Sequence, residues 1–425
     1  MKPKITDENL PSREKPHDDI LIPLCMAILS IMGLAFIYTS QTYDMEETSL
    51  LRQFWFRQSV FLAIGAGVYY AISRANYEKF FVYAHAIYAL SVLLLVPLAL
   101  KECFGLPMPF VQSRFNATRW INIGIFSLQP SEIAKIGTLI MVAAILARSK
   151  IGTVKESLKV LLKLGIVTGV PILLIFLQPD LGSTLVFPPM VFAMLYVSNL
   201  SKRFFITALG IFAVLISVVA IDLTGYASFL KKSNMGAKDS AKLNAYGSSA
   251  LCLPMKDYQR NRILAFVAPE FIDKKGLDTT WNLNQSLISI GSGGMFGKGV
   301  GEGTQAKLGF LPSAVAYNDF IFAVLAEETG FAGGMFALAL LGAIVLFSCP
   351  RAATLSRDRF GRLLCAGVAA TLATHIFINV GMTLGIMPIT GLPLPMLSYG
   401  GSFVLTCCVL LGLVQSVYRH KRQFQ

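Results

Sequence analysis

Charge is scarce in this chain. Only 14% of its 425 residues are Asp, Glu, Lys or Arg, while 54% are hydrophobic; an ordinary soluble domain is about 25% charged, so a soluble globular protein is excluded. There are four His and seven Cys. The cysteines follow no metal-ligand spacing, and only Cys103 and Cys252 are expected on the outer side, the rest in or beside the apolar runs, with nothing further to support a disulfide between them. No internal repeat is visible, which leaves an inverted-repeat transporter without direct support. A cleavable signal is missing too: the polar stretch before Ile20 mixes acids and bases, and no small-residue cleavage site follows the first apolar run, which therefore reads as a retained anchor. The glycine-rich stretch 291–301 is not a nucleotide loop. A Walker motif needs Gly five residues before its Gly-Lys pair and Ser or Thr after it, and Ser292 and Gly299 stand there.

What the chain does have is apolar runs of about 20 residues, each long enough to cross roughly 30 Å of hydrocarbon as a helix. They predict spans near 20–39, 55–73, 80–100, 131–147, 160–177, 182–199, 204–222, 320–348, 363–387 and 399–418. The expected fold is all-α, a polytopic integral membrane protein of about ten transmembrane helices forming one membrane domain over 1–425. Its parts are an N-terminal tail 1–19, a large extracytoplasmic loop 223–318 between helices 7 and 8, and a tail 419–425. Ten spans put both termini on one side. The inner-side segments of that arrangement hold 20 Lys and Arg, and the short outer loops hold only Arg52, Arg57, Lys101, Arg114 and Arg119; this asymmetry predicts cytoplasmic termini.

The loop 223–318 has 11 Lys and Arg against 6 acids. It reads either as a solvated basic surface or as an attractor for anionic lipid or a phosphate-bearing substrate. Its first part, 223–257, is polar; 258–311 alternates polar and apolar residues and is expected to be ordered against the membrane domain. Six glycines between Gly291 and Gly301 allow close approach to a ligand or a re-entrant hairpin. Asn116-Ala117-Thr118 fits a glycosylation pattern short enough to arise by chance.

Polar groups in or at the ends of spans are few: Glu132, Lys135, Asp180, Asp222, Asp319, Glu327, Glu328 and His375, most of them near the outer ends. Asp319 is the sharpest. It sits where the long loop returns to the membrane, and an ionised carboxylate facing lipid at depth costs roughly 2.5–3.5 kcal/mol, so it is expected to face protein or a polar cavity; the alternative is a helix N-cap. Glu132 and Lys135, three apart in a helix expected to be capped by Ser131, share a face and read as a self-neutralising pair, a substrate-binding pair, or both. Arg119 beside Trp120 offers a guanidinium that matches phosphate bidentately, while Trp120 also suits an interfacial belt. Asp180, in a tight turn, is either an N-cap or part of the site. Glu327 or Glu328 is expected to pair with a cation from a neighbouring span, and His375 to be a hydrogen-bonded core histidine. The Pro- and Gly-rich segment 388–402 is tolerated at membrane depth only against protein or a cavity, and is expected to wall the cavity that Asp319 enters.

Four blocks, RWINIGIFSLQPSEIAK (119–135), QPDLGS (178–183), NQSLISIGSGGMFGKG with GTQAKLGFLP (284–299 and 303–312) and NVGMTLGIMPITGLPLPMLSYGGS (379–402), together with NDFIFAVLAEETGF (318–331), occur in this order. They resemble the SEDS proteins (shape, elongation, division and sporulation). GKG followed by GTQ, and YQRNRILAFVAPEFID (258–273), look more like the elongation (RodA) branch than the division (FtsW) branch. The resemblance implies a peptidoglycan glycosyltransferase in the bacterial cytoplasmic membrane that joins lipid II units into glycan strands and releases undecaprenyl pyrophosphate. Asp319 maps onto the family's catalytic position and is expected to act as general base. Arg119, Trp120, Glu132, Lys135, Asp180, Gln285, Lys298 and Lys307 are expected to bind substrate, with Mg or Mn as a possible helper at the pyrophosphate. The expected partners are lipid II, the nascent strand, a class B penicillin-binding protein and other elongation-complex membrane proteins; no nucleic acid is expected. Spans 8 and 9 are candidate partner contacts because Gly330, Gly333 and Gly334 permit close helix approach. The rival readings are a lipid II flippase and a non-catalytic scaffold. One departure stands out: LPSAVAYNDF replaces the family's LPE-x-HTDF, so the roles of the usual Glu and His-Thr do not transfer.

Overall fold

The computed structural model describes residues 18–41, 52–104, 110–114, 117–123, 126–233, 240, 245–247, 255, 257–273, 280–311 and 313–420. Helices dominate: α1 (Leu21–Gln41), α2 (Phe54–Arg74), the short α3 (Glu78–Val82), α4 (Ala84–Phe104), α5 (Pro130–Arg148), α6 (Val154–Leu177), α7 (Leu181–Leu185) with α8 (Phe187–Val197), and α9 (Lys202–Ser233). After the long loop come α10 (Asp257–Val267), α11 (Trp281–Ser292), the single turns α12 (Thr304–Lys307) and α13 (Ser313–Ala316), α14 (Ile321–Gly342), α15 (Cys349–Leu355), α16 (Arg359–Thr383) and α17 (Gly401–Arg419). Among the described residues eight helices are long and apolar enough to span a membrane; α2, whose run carries Arg57 and Arg74, and the jointed α7–α8 complete ten. The chain is a multi-pass membrane protein. Sequence hydropathy did not reveal a small antiparallel sheet, Val111–Arg114, Ala117–Ile123 and Phe126–Leu128, just before α5.

α5 is the centre of the bundle, with most of its residues buried. Its entry differs from expectation. Pro130 takes the first helical position and Gln129 precedes it as N-cap without a side-chain bond, while Ser131 lies inside the first turn facing Ser183; proline suits that first position because its missing N–H would be unsatisfied anyway. α9 is the opposite case. None of its most apolar window is buried, and its packed part is the C-terminal end, where Leu223, Tyr226 and Leu230 meet Leu264 of α10. That junction is fixed by Arg260, which is fully buried and pairs with Asp222 (2.8 Å) and Asp257 (3.2 Å). Opposite faces of a helix carry residues two apart, so the pin at Arg260 turns Arg262 away from α9.

The apolar run 320–348 reads as one span, yet its helix is broken. Gly330 has φ 68° and ψ −166°, a region open essentially to glycine alone. The glycine hairpin that follows α11 fills the break. Lys298 N donates to Glu327 O (3.0 Å), Gly299 N to Glu328 O (3.0 Å), Phe331 N to Gly294 O (2.9 Å) and Ala332 N to Met295 O (3.0 Å). The hairpin thus satisfies backbone groups that a break at membrane depth would otherwise leave bare. A Cβ on Gly330 would collide with the Gly297 nitrogen, so Gly330 serves this backbone contact rather than the helix-helix approach expected of it. Gly330→Ala is expected to lower the melting temperature of the purified protein markedly, since backbone strain alone costs about 1–3 kcal/mol; an unchanged melting temperature would contradict the break.

Candidate active site

The turn before α14 carries Asp319. It is not an N-cap: Phe320 holds that position and makes no side-chain capping bond. Its backbone is held from several directions. Asp319 N donates to Val315 O (3.0 Å), and Asn379 Nδ2 of α16 donates both to Asp319 O (2.9 Å) and to Leu392 O (2.7 Å). Ser398 Oγ donates to Asn318 O (2.6 Å) and Tyr399 N to Tyr317 O (2.9 Å). The Pro- and Gly-rich segment therefore walls the Asp319 site, as its composition predicted, and a Cβ on Gly391 would stand 3.4 Å from Asp319 Oδ2. The altered approach to Asp319 has a packing role: the Tyr317 ring lies 4.5 Å from Phe54 and 5.4 Å from Tyr399, centroid to centroid.

With its backbone clamped, the Asp319 carboxylate itself accepts no hydrogen bond from a described residue. Burial pushes its pKa up from 3.8 to about 6, opposed by the positive fields of Arg262 and Arg119 and aided by the negative field of Asp180. Arg119 reaches the turn between α6 and α7 by donating from Nη2 to Pro179 O. Asp180 next to it is the N-cap of α7, accepting from Ser183 N (3.2 Å), from Ser183 Oγ (2.8 Å) and from Gln129 Nε2 (3.3 Å). Arg262 of α10, half-buried, lines a cleft with Thr280, Leu283, Met387, Pro388 and Ile389. Sequence reasoning missed Arg262. Its signal was the motif YQRNRILAF, but nothing local distinguishes it from Arg260, whose charge is spent on Asp222.

The other expected substrate residues are engaged by neighbours of their own. Glu132 and Lys135 form a 2.7 Å ion pair, and Lys135 Nζ also sits 3.1 Å from His375 Nε2, all three side chains being almost fully buried. With an ammonium facing Nε2, that nitrogen is the acceptor and Nδ1–H donates to Pro393 O (3.2 Å). Lys135→Ala would strand Glu132, and breaking a buried pair costs about 3–5 kcal/mol. The expected result is a lower melting temperature, more severe than for the paired change Glu132→Gln with Lys135→Met; equal melting for the two would contradict a compensating pair. Lys298 Nζ bonds Glu327 Oε1 (2.6 Å) and Thr304 Oγ1 (2.8 Å), and Glu327 also accepts from Thr304 N (2.8 Å) and Gln305 N (3.2 Å). The cation paired with Glu327 thus comes from the glycine hairpin, not from a neighbouring span. Lys307 lies 3.8 Å from Glu302. Gln285 is buried in α11, beside Ser286, whose hydroxyl donates to Thr383 O (2.9 Å). Trp120 stands in the small sheet opposite Gln112. Cys252 and Asn116 fall outside the described residues.

Among the described residues no three His, Cys, Asp or Glu side chains are grouped to hold a metal. The positive fields acting on Asp319 are those of Arg262 and Arg119. A carboxylate that accepts no hydrogen bond from a described residue, at ordinary pH mostly ionised and in the positive fields of two guanidinium groups, is equipped to take a proton next to a phosphate-bearing leaving group.

Residues 19–423 match the model of the FtsW/RodA/SpoVE family of cell cycle proteins. The chain belongs to this family. Among FtsW/RodA/SpoVE proteins, the peptidoglycan glycosyltransferase RodA of Treponema pallidum is 31% identical over 94% of this chain and 97% of its own. The peptidoglycan glycosyltransferase MrdB of Escherichia coli K12 is 34% identical over 72% of each chain. Relatives named FtsW match as well. Among solved structures, a chain of a peptidoglycan synthase complex that coordinates polymerization and crosslinking superposes with a TM-score of 0.68 at 25% identity, covering 95% of this chain and 99% of that one.

Proposed function

We propose that this protein is a peptidoglycan glycosyltransferase of the RodA type, polymerising lipid II into glycan strands during cell elongation at the outer face of the bacterial cytoplasmic membrane. The observation that carries this reading is the Asp319 carboxylate, free of hydrogen bonds from described residues and flanked by the fields of Arg119 and Arg262. The names of the relatives supply the reaction class and favour the elongation branch.

In this reading Asp319 takes the proton of the acceptor sugar's 4-hydroxyl as that oxygen attacks the donor's anomeric carbon. The new C–O bond forms as the bond to the pyrophosphate oxygen breaks, and the electron pair leaves with undecaprenyl pyrophosphate. Arg119 and Arg262 stabilise that departing charge. Attack opposite the leaving group inverts an α-linked donor into a β-linked strand. The polyprenyl tail lies along the lipid-facing sides of the spans, for which α9, whose most apolar window has no buried residue, offers apolar surface.

Cytoplasmic termini are supported by the charge asymmetry of the loops, and the 2.9 Å pair between Asp18 and Arg419 holds the described chain ends on one side. A class B penicillin-binding protein is the proposed partner, supported by the synthase complex among the structural relatives. The test is polymerisation of lipid II by the purified protein in detergent, with and without that partner. Glycan strands in detergent support polymerisation and exclude a pure flippase, which needs two compartments; no strands in either condition overturns the proposal.

A further inference from the structure

A second cationic site lies at the other end of α16. A cavity of about 250 Å³ is lined by Arg359, Arg362, Ser198, Asn199, Ile151 and Leu363. Asn379, which bonds Asp319, is 20 residues further along α16 than Arg359, so at 1.5 Å per residue the cavity is about 30 Å away, at the opposite membrane face. That is the face of the chain ends, since Tyr77 OH bonds Asp358 (2.8 Å) and Ser416 Oγ bonds Ala75 O.

The two arginines are three apart and share a helix face. Arg359 donates to Ser149 O (2.7 Å) and Ser198 O (3.1 Å), the carbonyls just past the ends of α5 and α8, which fixes its head but leaves its charge uncompensated. Arg362 is exposed, and its guanidinium has no hydrogen-bond or ion-pair partner among the described residues. The nearest acid in sequence, Asp358, is engaged by Tyr77 OH, by Gly361 N (3.0 Å) and by Ser356. Beside the cavity, Phe192, Tyr196, Phe204 and Phe205 form a chain of ring contacts, with Tyr196 68% exposed, the amphipathic setting of a headgroup boundary.

We propose that this cavity binds the phosphate of an anionic phospholipid headgroup, with Arg359 and Arg362 as its ligands and the acyl chains along the aromatic edge of α8 and α9. Arg362 offers a guanidinium fork, unengaged by described residues, that matches phosphate oxygens, and Arg359, held by its two carbonyls, adds its charge and remaining N–H groups. The volume is below the roughly 300 Å³ at which sites for whole small ligands begin, so it suits a headgroup rather than an entire lipid.

The test is native mass spectrometry of the full-length protein released from bilayers of phosphatidylcholine with phosphatidylglycerol, comparing wild type, Arg362→Gln and Arg351→Gln. Arg351, whose guanidinium lies over the Tyr418 ring, is a basic control outside the cavity. One retained phosphatidylglycerol is expected for wild type and for Arg351→Gln, with occupancy reduced at least about fivefold in Arg362→Gln, the effect of one cation at an anionic surface. Arg362 makes no described side-chain bond, so an unchanged melting temperature in phosphatidylcholine alone is expected and separates binding from folding. Equal retention in Arg362→Gln overturns the proposal, and so does displacement of the lipid by millimolar inorganic phosphate, which would make free phosphate the ligand.

Discussion

Asp319→Asn is expected to abolish glycan-strand synthesis from lipid II while leaving folding and membrane insertion intact. The two halves of that statement have different origins. The carboxylate accepts no hydrogen bond from a described residue, whereas the backbone of the turn is clamped by Val315, Asn379, Ser398 and Tyr399, so an isosteric amide removes no structural contact. What it removes is the proton acceptor, and general-base catalysis is typically worth about 100- to 10,000-fold. Melting temperature and detergent chromatography report the fold, and strand synthesis reports the chemistry. Near-normal polymerisation by the purified variant would remove Asp319 from the mechanism.

Arg262→Gln is expected to lower kcat by about 100- to 1,000-fold, the usual loss when one preorganised donor to developing charge is removed. The argument depends on how Arg262 is held. Arg260, two residues earlier, is locked between Asp222 and Asp257, so α10 cannot turn without breaking a buried ion cluster, and Arg262 stays oriented toward the Asp319 side. Lysine is expected to rescue poorly, because an ammonium cannot make the paired bonds of a guanidinium. A second readout separates this from mere destabilisation. The Arg262 field lowers the Asp319 pKa, so its loss should raise that pKa and move the acid limb of the activity profile to higher pH. A profile that does not move, with normal kcat, would place Arg262 outside the site.

Much of the architecture was legible in sequence because hydropathy and charge act locally. Ten apolar runs give ten helical passes, and the Pro- and Gly-rich stretch walls the Asp319 cavity because such backbone needs protein against it. What was hidden depends on distant partners. The break at Gly330 lies within an apolar run indistinguishable from an ordinary span, and exists only because a hairpin 30 residues earlier supplies its hydrogen bonds. Lys298 looked like a free cation for phosphate until Glu327 claimed it across that same junction. Lys135 is likewise engaged by Glu132 and His375. Arg262 could be told from Arg260 only once Asp222, at the far side of the long loop, had taken one of them.

The central claim is that Asp319 is the base, and the pH dependence of kcat/KM for lipid II polymerisation tests it most directly, because that ratio reports the ionisation of the free enzyme. Burial raises the Asp319 pKa from 3.8 to about 6. A base works only when deprotonated, so the rate should rise with pH and level off above that value. Stability should move the other way: between those two values the folded chain keeps a proton that the unfolded chain has lost, so stability falls as pH rises through the window. The expected result is half-maximal kcat/KM near pH 6, with a tenfold fall for each unit below it. A flat profile from about pH 5 to about pH 8, in protein that remains folded throughout, would contradict a carboxylate base at this position.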